Sequence, residues 1–317
     1  MVFTSFLALA AGIALLLGGA HFLTNYASSL AKRWAISEYA IGLTFVAFFT
    51  SLPEISVALV SGLTSFLDPS TIAVDIASGT VIGSNITNLA LILGLAALIH
   101  PLGGASEYMK EEYFLFVLTV LFSAALFMGM GPGGGIAIFA IISLYLLYLV
   151  RKRPKGPLTA AERMYYRFFT RESFLELFLA IAGAVGLLAG AMLTVNFVMS
   201  ISESMGISNF VIASVAVALG TSLPEAMASV MAAAKKMKGI SLGNLIGSNI
   251  FNIAGLAAAS VFTHIPTNPK MLLIDIPIML IAALFVLAVS GTGRKLSTKA
   301  GLSLLLLYAL FILLQMV

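Results

Sequence analysis

The chain has 317 residues, 60% of them hydrophobic and only 9% charged, with a mean hydropathy of +1.08. That composition excludes an ordinary soluble domain and a disordered one, and places the protein in a membrane. It holds no cysteine, which excludes disulfides and thiolate metal sites, and its net charge of +4 is explained by where its basic residues lie, not by nucleic acid.

Apolar runs able to span a core about 30 Å thick fall near 4–26, 36–63, 72–99, 113–130, 134–150, 174–199, 207–233, 240–262, 272–290 and 299–316. They predict an all-α polytopic membrane protein of ten transmembrane helices. The first run follows Met1-Val2-Phe3 with no basic stretch before it and no small-residue cleavage site after it, so it is expected to stay as a helix. Every connection is short except the one from Arg151 to about Arg171, which carries Arg151, Lys152, Arg153, Lys155, Arg163, Arg167 and Arg171. The positive-inside rule makes this loop cytoplasmic. The loops after runs 1, 3, 7 and 9 are then also inside, and together they hold 16 of the 17 Lys and Arg, leaving Lys270 outside. Both termini are expected to be extracellular and the membrane to be the plasma membrane.

Within these runs a sequence recurs. Thr50-Ser51-Leu52-Pro53-Glu54 in run 2 returns as Thr221-Ser222-Leu223-Pro224-Glu225 in run 7, 171 residues later, and 10 of 19 positions match between Ile36–Glu54 and Ile207–Glu225. In runs 3 and 8, Gly79 to Asn88 matches Gly243 to Asn252 at an offset of 164. The first half thus carries seven extra residues, in the outside loop around Leu67 to Ala77. Residues 1–150 and 174–317 read as two repeats flanking a basic cytoplasmic loop, 151–173. Because each half has five helices, an odd number, the copies enter the membrane in opposite directions, which is the inverted repeat of transporters.

A glutamate in mid-helix costs on the order of 3 kcal/mol facing lipid, so Glu54 and Glu225 must face a cavity, a cation or a partner. Pro53 and Pro224 lack an N–H and displace the carbonyl four residues back, so helices 2 and 7 should kink and free oxygens near Phe49 and Gly220. Ala47, Thr50, Ser51 and Glu54 fall on one helix face, as do Ala218, Thr221, Ser222 and Glu225. Ser84 with Asn88, and Ser248 with Asn252, form i, i+4 pairs on the following helices. All of these donors are oxygens or amides, which suits a hard cation such as Ca²⁺, and two ionised glutamates give a charge that one Ca²⁺ or two or more Na⁺ can neutralise. Close helix packing through Gly83 and Gly247 would explain part of the duplication. It would not explain the glutamates.

These residues resemble the cation/calcium exchangers, and within them the sodium/calcium exchangers of archaeal and prokaryotic type. The resemblance covers nearly the whole chain and rests on the family's ordered motifs Gly-Thr-Ser-Leu-Pro-Glu and Gly-Asn-x-x-Gly-Ser-Asn-x-x-Asn, one of each in each repeat. It implies Na⁺/Ca²⁺ antiport by alternating access at four cation sites in mid-membrane, with no enzymatic activity and no cofactor, in a monomer. By motif position, Glu54 and Glu225 are the implied Ca²⁺-bridging carboxylates and Ala47 and Ala218 the carbonyl donors. Thr50, Ser51, Ser84, Thr221, Ser222 and Ser248 are the surrounding ligands, completed by Asn88 and Asn252. Three positions depart from the pattern: Phe49 stands for Gly, Thr80 for Asn, and Asn252 occupies a position where some members carry Asp. Asn252 implies a potassium-independent exchanger, and the central loop is too short for the Ca²⁺-sensing domains of animal relatives.

The alternative is a Ca²⁺/H⁺ antiporter, whose known relatives carry Gly-Asn-x-x-Glu where this chain has Ser84 and Ser248. A channel or an intramembrane enzyme fits the residues less well. His21, Asn25 with its repeat Asn196, Asp75, Asp275 and Trp34 read as packing, solvated or interfacial residues.

Overall fold

The computed structural model describes residues 2–34, 37–67, 71–102, 108–151, 170–204, 218–265, 267, 269–293 and 295–315. These residues are helical throughout apart from short connections. α1 (Val2–Trp34) ends on Lys32 and Arg33, which places basic charge where the helix dipole favours it. α2 (Glu38–Thr50) is followed, after Ser51, by α3 (Leu52–Leu67), and the two axes differ by 51°. α4 (Thr71–Ile86) passes through a π-helical turn (Thr87–Ile92) into α5 (Leu93–Ile99). α6 (Met109–Phe127) and α7 (Pro132–Arg151) close the first half. The second half opens with α8 (Arg171–Ser204), then α9 (Ala218–Thr221) and, after Ser222, α10 (Leu223–Ala234). α11 (Lys238–Ala259), a π-helical turn (Met271–Asp275) leading into α12 (Ile276–Gly291), and α13 (Thr298–Gln315) complete the chain.

Among the described residues, seven helices are long and apolar enough to cross a membrane, or eight if the bent α2–α3 pair is one span. α6 falls short because Lys110, Glu111 and Glu112 crowd its first turn. Of the expected run 207–233, residues 207–217 lie outside the described residues, as do 152–169 of the basic loop.

The break after α2 follows from Pro53, the second residue of α3. Proline is tolerated in a first helical turn and resisted further in, so the helix stops and restarts around it. Ser51 takes φ −83°, ψ 4°, and Ser222, before Pro224, takes φ −85°, ψ 3°. Each serine carbonyl accepts the first helical bond beyond the break, from Ile55 N and Ala226 N, both at 3.0 Å. The repeated sequence therefore gives the same local geometry twice.

Two seams bring the site together. α11 is buried almost all round and runs against α2 through glycines. A Cβ on Gly247 would lie 2.2 Å from the Leu43 carbonyl oxygen, and one on Gly243 would lie 2.4 Å from that of Tyr39. α1 and α8 cross as closely: a Cβ on Gly19 would lie 2.5 Å from the Leu187 nitrogen. At the end of this pair Arg33 grips Glu176 with two bonds of 2.9 Å, and Ser29 donates to the same carboxylate at 2.7 Å. A smaller apolar core joins α1, α2, α8 and α10, and a larger one fills the space among α4–α7 and α11–α13.

Candidate cation site

Glu54 and Glu225 stand one turn beyond the two breaks, both fully buried. Glu54 Oε1 accepts from Ser84 at 3.2 Å and from Ser222 at 3.4 Å, and Thr221 also reaches this carboxylate. Glu225 Oε1 accepts from Ser51 at 3.0 Å, with Thr50 and Ser248 reaching the same group. The pattern is reciprocal: each glutamate is held by the Thr-Ser pair of the other half and by the motif serine of its own half. Ser222 also donates to Ser84 at 3.1 Å, and Thr50 Oγ1 lies 3.4 Å from Ser248 Oγ.

Each glutamate nevertheless leaves its Oε2 buried with no hydrogen-bond partner among the described residues. Neither makes an ion pair among the described residues, where the one salt bridge is Arg33–Glu176. On the elements that carry the motif serines, more buried oxygens lack a donor among the described residues: Asn88 Oδ1 in the π-helical turn, and Asn249 Oδ1 and Asn252 Oδ1 on α11. A buried acceptor without a partner costs about 1–3 kcal/mol, and a buried carboxylate costs more. A set of such oxygens is what a desolvated hard cation coordinates.

The structure thus gathers Glu54, Ser84, Ser222 and Thr221 into one hydrogen-bonded group and Glu225, Ser51, Thr50 and Ser248 into another, with the two carboxylates within electrostatic range of each other. The Ala47 carbonyl already takes the Ser51 N–H at 3.0 Å and the Thr50 hydroxyl at 3.3 Å. Ala218 lies at the first turn of α9, one turn before Thr221. Asn252 Nδ2 donates to Asn85 Oδ1 at 3.1 Å, while neither polar side-chain atom of Asn88 has a hydrogen-bond partner among the described residues. His21 and Asn25 do not join the cluster. They face Lys235, whose Nζ lies 3.1 Å from His21 Nδ1 and donates to Asn25 Oδ1 at 2.9 Å.

Sequence reasoning gave no site role to Asn244, Asn85 and Asn249, though all three stand in the repeated motif, and passed over Ser229. Asn244 accepts from Thr50 at 3.1 Å and donates to Ser229 at 2.8 Å, so it props the threonine against α10. Asn85 and Asn249 are the shared Asn of the two Gly-Ser-Asn triplets, a signal present in the repeat itself.

Buried paired carboxylates ringed by hydroxyls and amides, inside a many-helix membrane protein, define a cation transporter. The family model for the sodium/calcium exchanger protein matches residues 4–151 and 175–317, and the chain belongs to that family. It is 32% identical over 302 residues to an uncharacterized membrane protein of Methanocaldococcus jannaschii, covering 95% of this chain and 94% of that one. It is 28% identical to the sodium/calcium exchanger MaX1 of Methanosarcina acetivorans, over 98% of both chains. Its fold matches a solved structure of the sodium-calcium exchanger NCX_Mj soaked with 10 mM Na⁺ and zero Ca²⁺, with a TM-score of 0.85 and 29% identity over 98% of this chain and 99% of that one.

Proposed function

We propose that the protein exchanges Na⁺ for Ca²⁺ by alternating access, binding both cations between Glu54 and Glu225. The observation that carries this is the pair of fully buried carboxylates which, among the described residues, each keep one oxygen without a hydrogen-bond partner and make no ion pair. One Ca²⁺ would neutralise the pair. The ligands would be those carboxylates, the Ala47 and Ala218 carbonyls, the hydroxyls of Thr50, Ser51, Ser84, Thr221, Ser222 and Ser248, and the amides of Asn88 and Asn252. The relatives named for sodium/calcium exchange support the choice of ions.

The reciprocal holding of the glutamates and the matching breaks at Ser51 and Ser222 support ten spans in two inverted five-helix repeats, 1–150 and 174–317. The basic loop 151–173 is then cytoplasmic and both termini are extracellular. With Asn88 and Asn252 neutral, the empty site carries two negative charges. Three Na⁺ overfill it by one, so one of its four positions then holds water or stays weakly occupied. An exchange of three Na⁺ for one Ca²⁺ carries net charge with the Na⁺.

The test is Ca²⁺ uptake into proteoliposomes driven by an outward Na⁺ gradient, compared with a pH gradient across the same vesicles. Uptake on the Na⁺ gradient is expected. Uptake on the pH gradient alone would replace this reading with proton exchange.

A further inference from the structure

The hydroxyl of Thr50 has more acceptors around it than its one proton can serve. Asn244 Oδ1 lies 3.1 Å away and the Ala47 carbonyl 3.3 Å, and Thr50 also reaches the Glu225 carboxylate. The carbonyl and the carboxylate belong to the ligand set proposed above, and a proton given to either would occupy an oxygen that a cation needs. Asn244 does not belong to that set.

The other bonds of Asn244 fix which way its amide faces. Its Nδ2 donates to Ser229 Oγ at 2.8 Å and to the Glu225 main-chain carbonyl at 3.4 Å. A carbonyl oxygen has no proton to give, so the amide nitrogen must lie on that side and Oδ1, which only accepts, on the side of Thr50. Ser229 is ordered in the same way. Its hydroxyl donates to the Ser241 carbonyl at 3.5 Å, which leaves a lone pair for Asn244 Nδ2. A chain of bonds with one direction thus runs from Thr50 through Asn244 and Ser229 to the main chain of α11, and every side chain in it is buried. Bonds in such a chain polarise and strengthen one another.

The first half has different residues at the matching positions. At the 171-residue offset 229 − 171 gives 58, so Ser229 corresponds to Ala58, and at the 164-residue offset 244 − 164 gives 80, so Asn244 corresponds to Thr80. Alanine has no polar side-chain group, and a threonine hydroxyl can give a proton as readily as take one. That pair cannot impose on Thr221 the direction that Ser229 and Asn244 impose on Thr50.

We propose that Asn244, held by Ser229, is a positioning residue for cation binding: it takes the Thr50 proton, so that Thr50 Oγ1 meets a cation with lone pairs alone and the Ala47 carbonyl stays free to bind it. Asn244 acts through Thr50 and touches no cation itself. The inference rests on the reading of the Glu54–Glu225 region as a cation site, whichever ion drives exchange.

Ca²⁺ is the probe. The rise in unfolding temperature of the purified full chain in detergent, followed against Ca²⁺ concentration, gives a dissociation constant without any transport. Asn244→Thr, which writes the first half's residue into the second, should raise that constant about 10-fold, the low end of the effect of groups that orient metal ligands. On a Thr50→Val or Thr50→Ala background the same change should move it by less than about 2-fold, because a residue that acts through another loses its effect when the other is gone. Ser229→Ala leaves Asn244 in place but frees its amide to turn; it should shift the constant in the same direction, and it decides the matter if Asn244→Thr is not monodisperse. A wild type stabilised by Ca²⁺ beside an Asn244→Thr protein of unchanged affinity overturns the positioning role and leaves the cation site standing. An equal shift with and without the Thr50 hydroxyl also overturns it, as does a lower unfolding temperature in the absence of Ca²⁺ at unchanged affinity, which is the result a merely structural prop gives. A wild type that Ca²⁺ does not stabilise removes the cation site and the positioning role together.

Discussion

At the scale of the residue, Ser51 and Ser222 do the same task from opposite halves, each donating a hydroxyl to the glutamate of the other. A hydrogen bond to a charged group contributes about 1.5–3 kcal/mol. Ser51→Ala and Ser222→Ala should therefore each raise the half-maximal Ca²⁺ concentration for uptake on the order of 10-fold, the lower end of that range. Uptake titrated against Ca²⁺ checks this, and equal shifts in both variants would reflect the symmetry of the pair. The glutamates, serines and threonines of this cluster are legible in the sequence because they are the residues an apolar run does not otherwise tolerate. The parts that Asn244 and Ser229 play are not legible. Their roles arise from a bond between α10 and α11, and no spacing along one helix announces a partner on another. Glu111 and Glu112 mislead in the same way, since they sit in a charged connection by sequence and are buried by the fold.

At the scale of the element, the repeated Thr-Ser-Leu-Pro-Glu produces the same break twice, and the bend between α2 and α3 follows directly from proline chemistry. The π-helical turns among the described residues, at Gly42–Val46, Thr87–Ile92 and Met271–Asp275, have no such signature. The one at Thr87–Ile92 carries Asn88, and such turns are frequent at functional sites. The α2–α11 seam shows what Gly247, read from the sequence as a packing glycine, packs against. Gly247→Val would drive a side chain into the Leu43 carbonyl, 2.2 Å from the first added atom. Overpacking of this kind costs about 1–3 kcal/mol or more. The expected outcome is a lower unfolding temperature in detergent together with weaker Ca²⁺ binding, because the seam also sets Thr50 against Ser248. Gly79→Val, where an added Cβ meets nothing within 4 Å, is the control that should leave both unchanged.

At the scale of the whole molecule, two halves that each complete the other's site make transport a property of both together. The charge count gives this a direct electrical consequence. If Na⁺ enters three at a time against one Ca²⁺, the membrane potential acts at about 2.3 kcal/mol per charge per 100 mV. Clamping vesicles at different potentials should change the Na⁺-driven Ca²⁺ flux, and a flux indifferent to potential would mean two Na⁺ per Ca²⁺. The most direct measurement is Na⁺-gradient-driven Ca²⁺ uptake in proteoliposomes holding wild type, Glu54→Gln or Glu225→Gln. Each change removes one charge and no volume. Uptake in the wild type and none in either variant, with all three proteins equally folded in detergent, is the predicted result; flux near wild type in either glutamine variant would contradict the assignment of the two carboxylates.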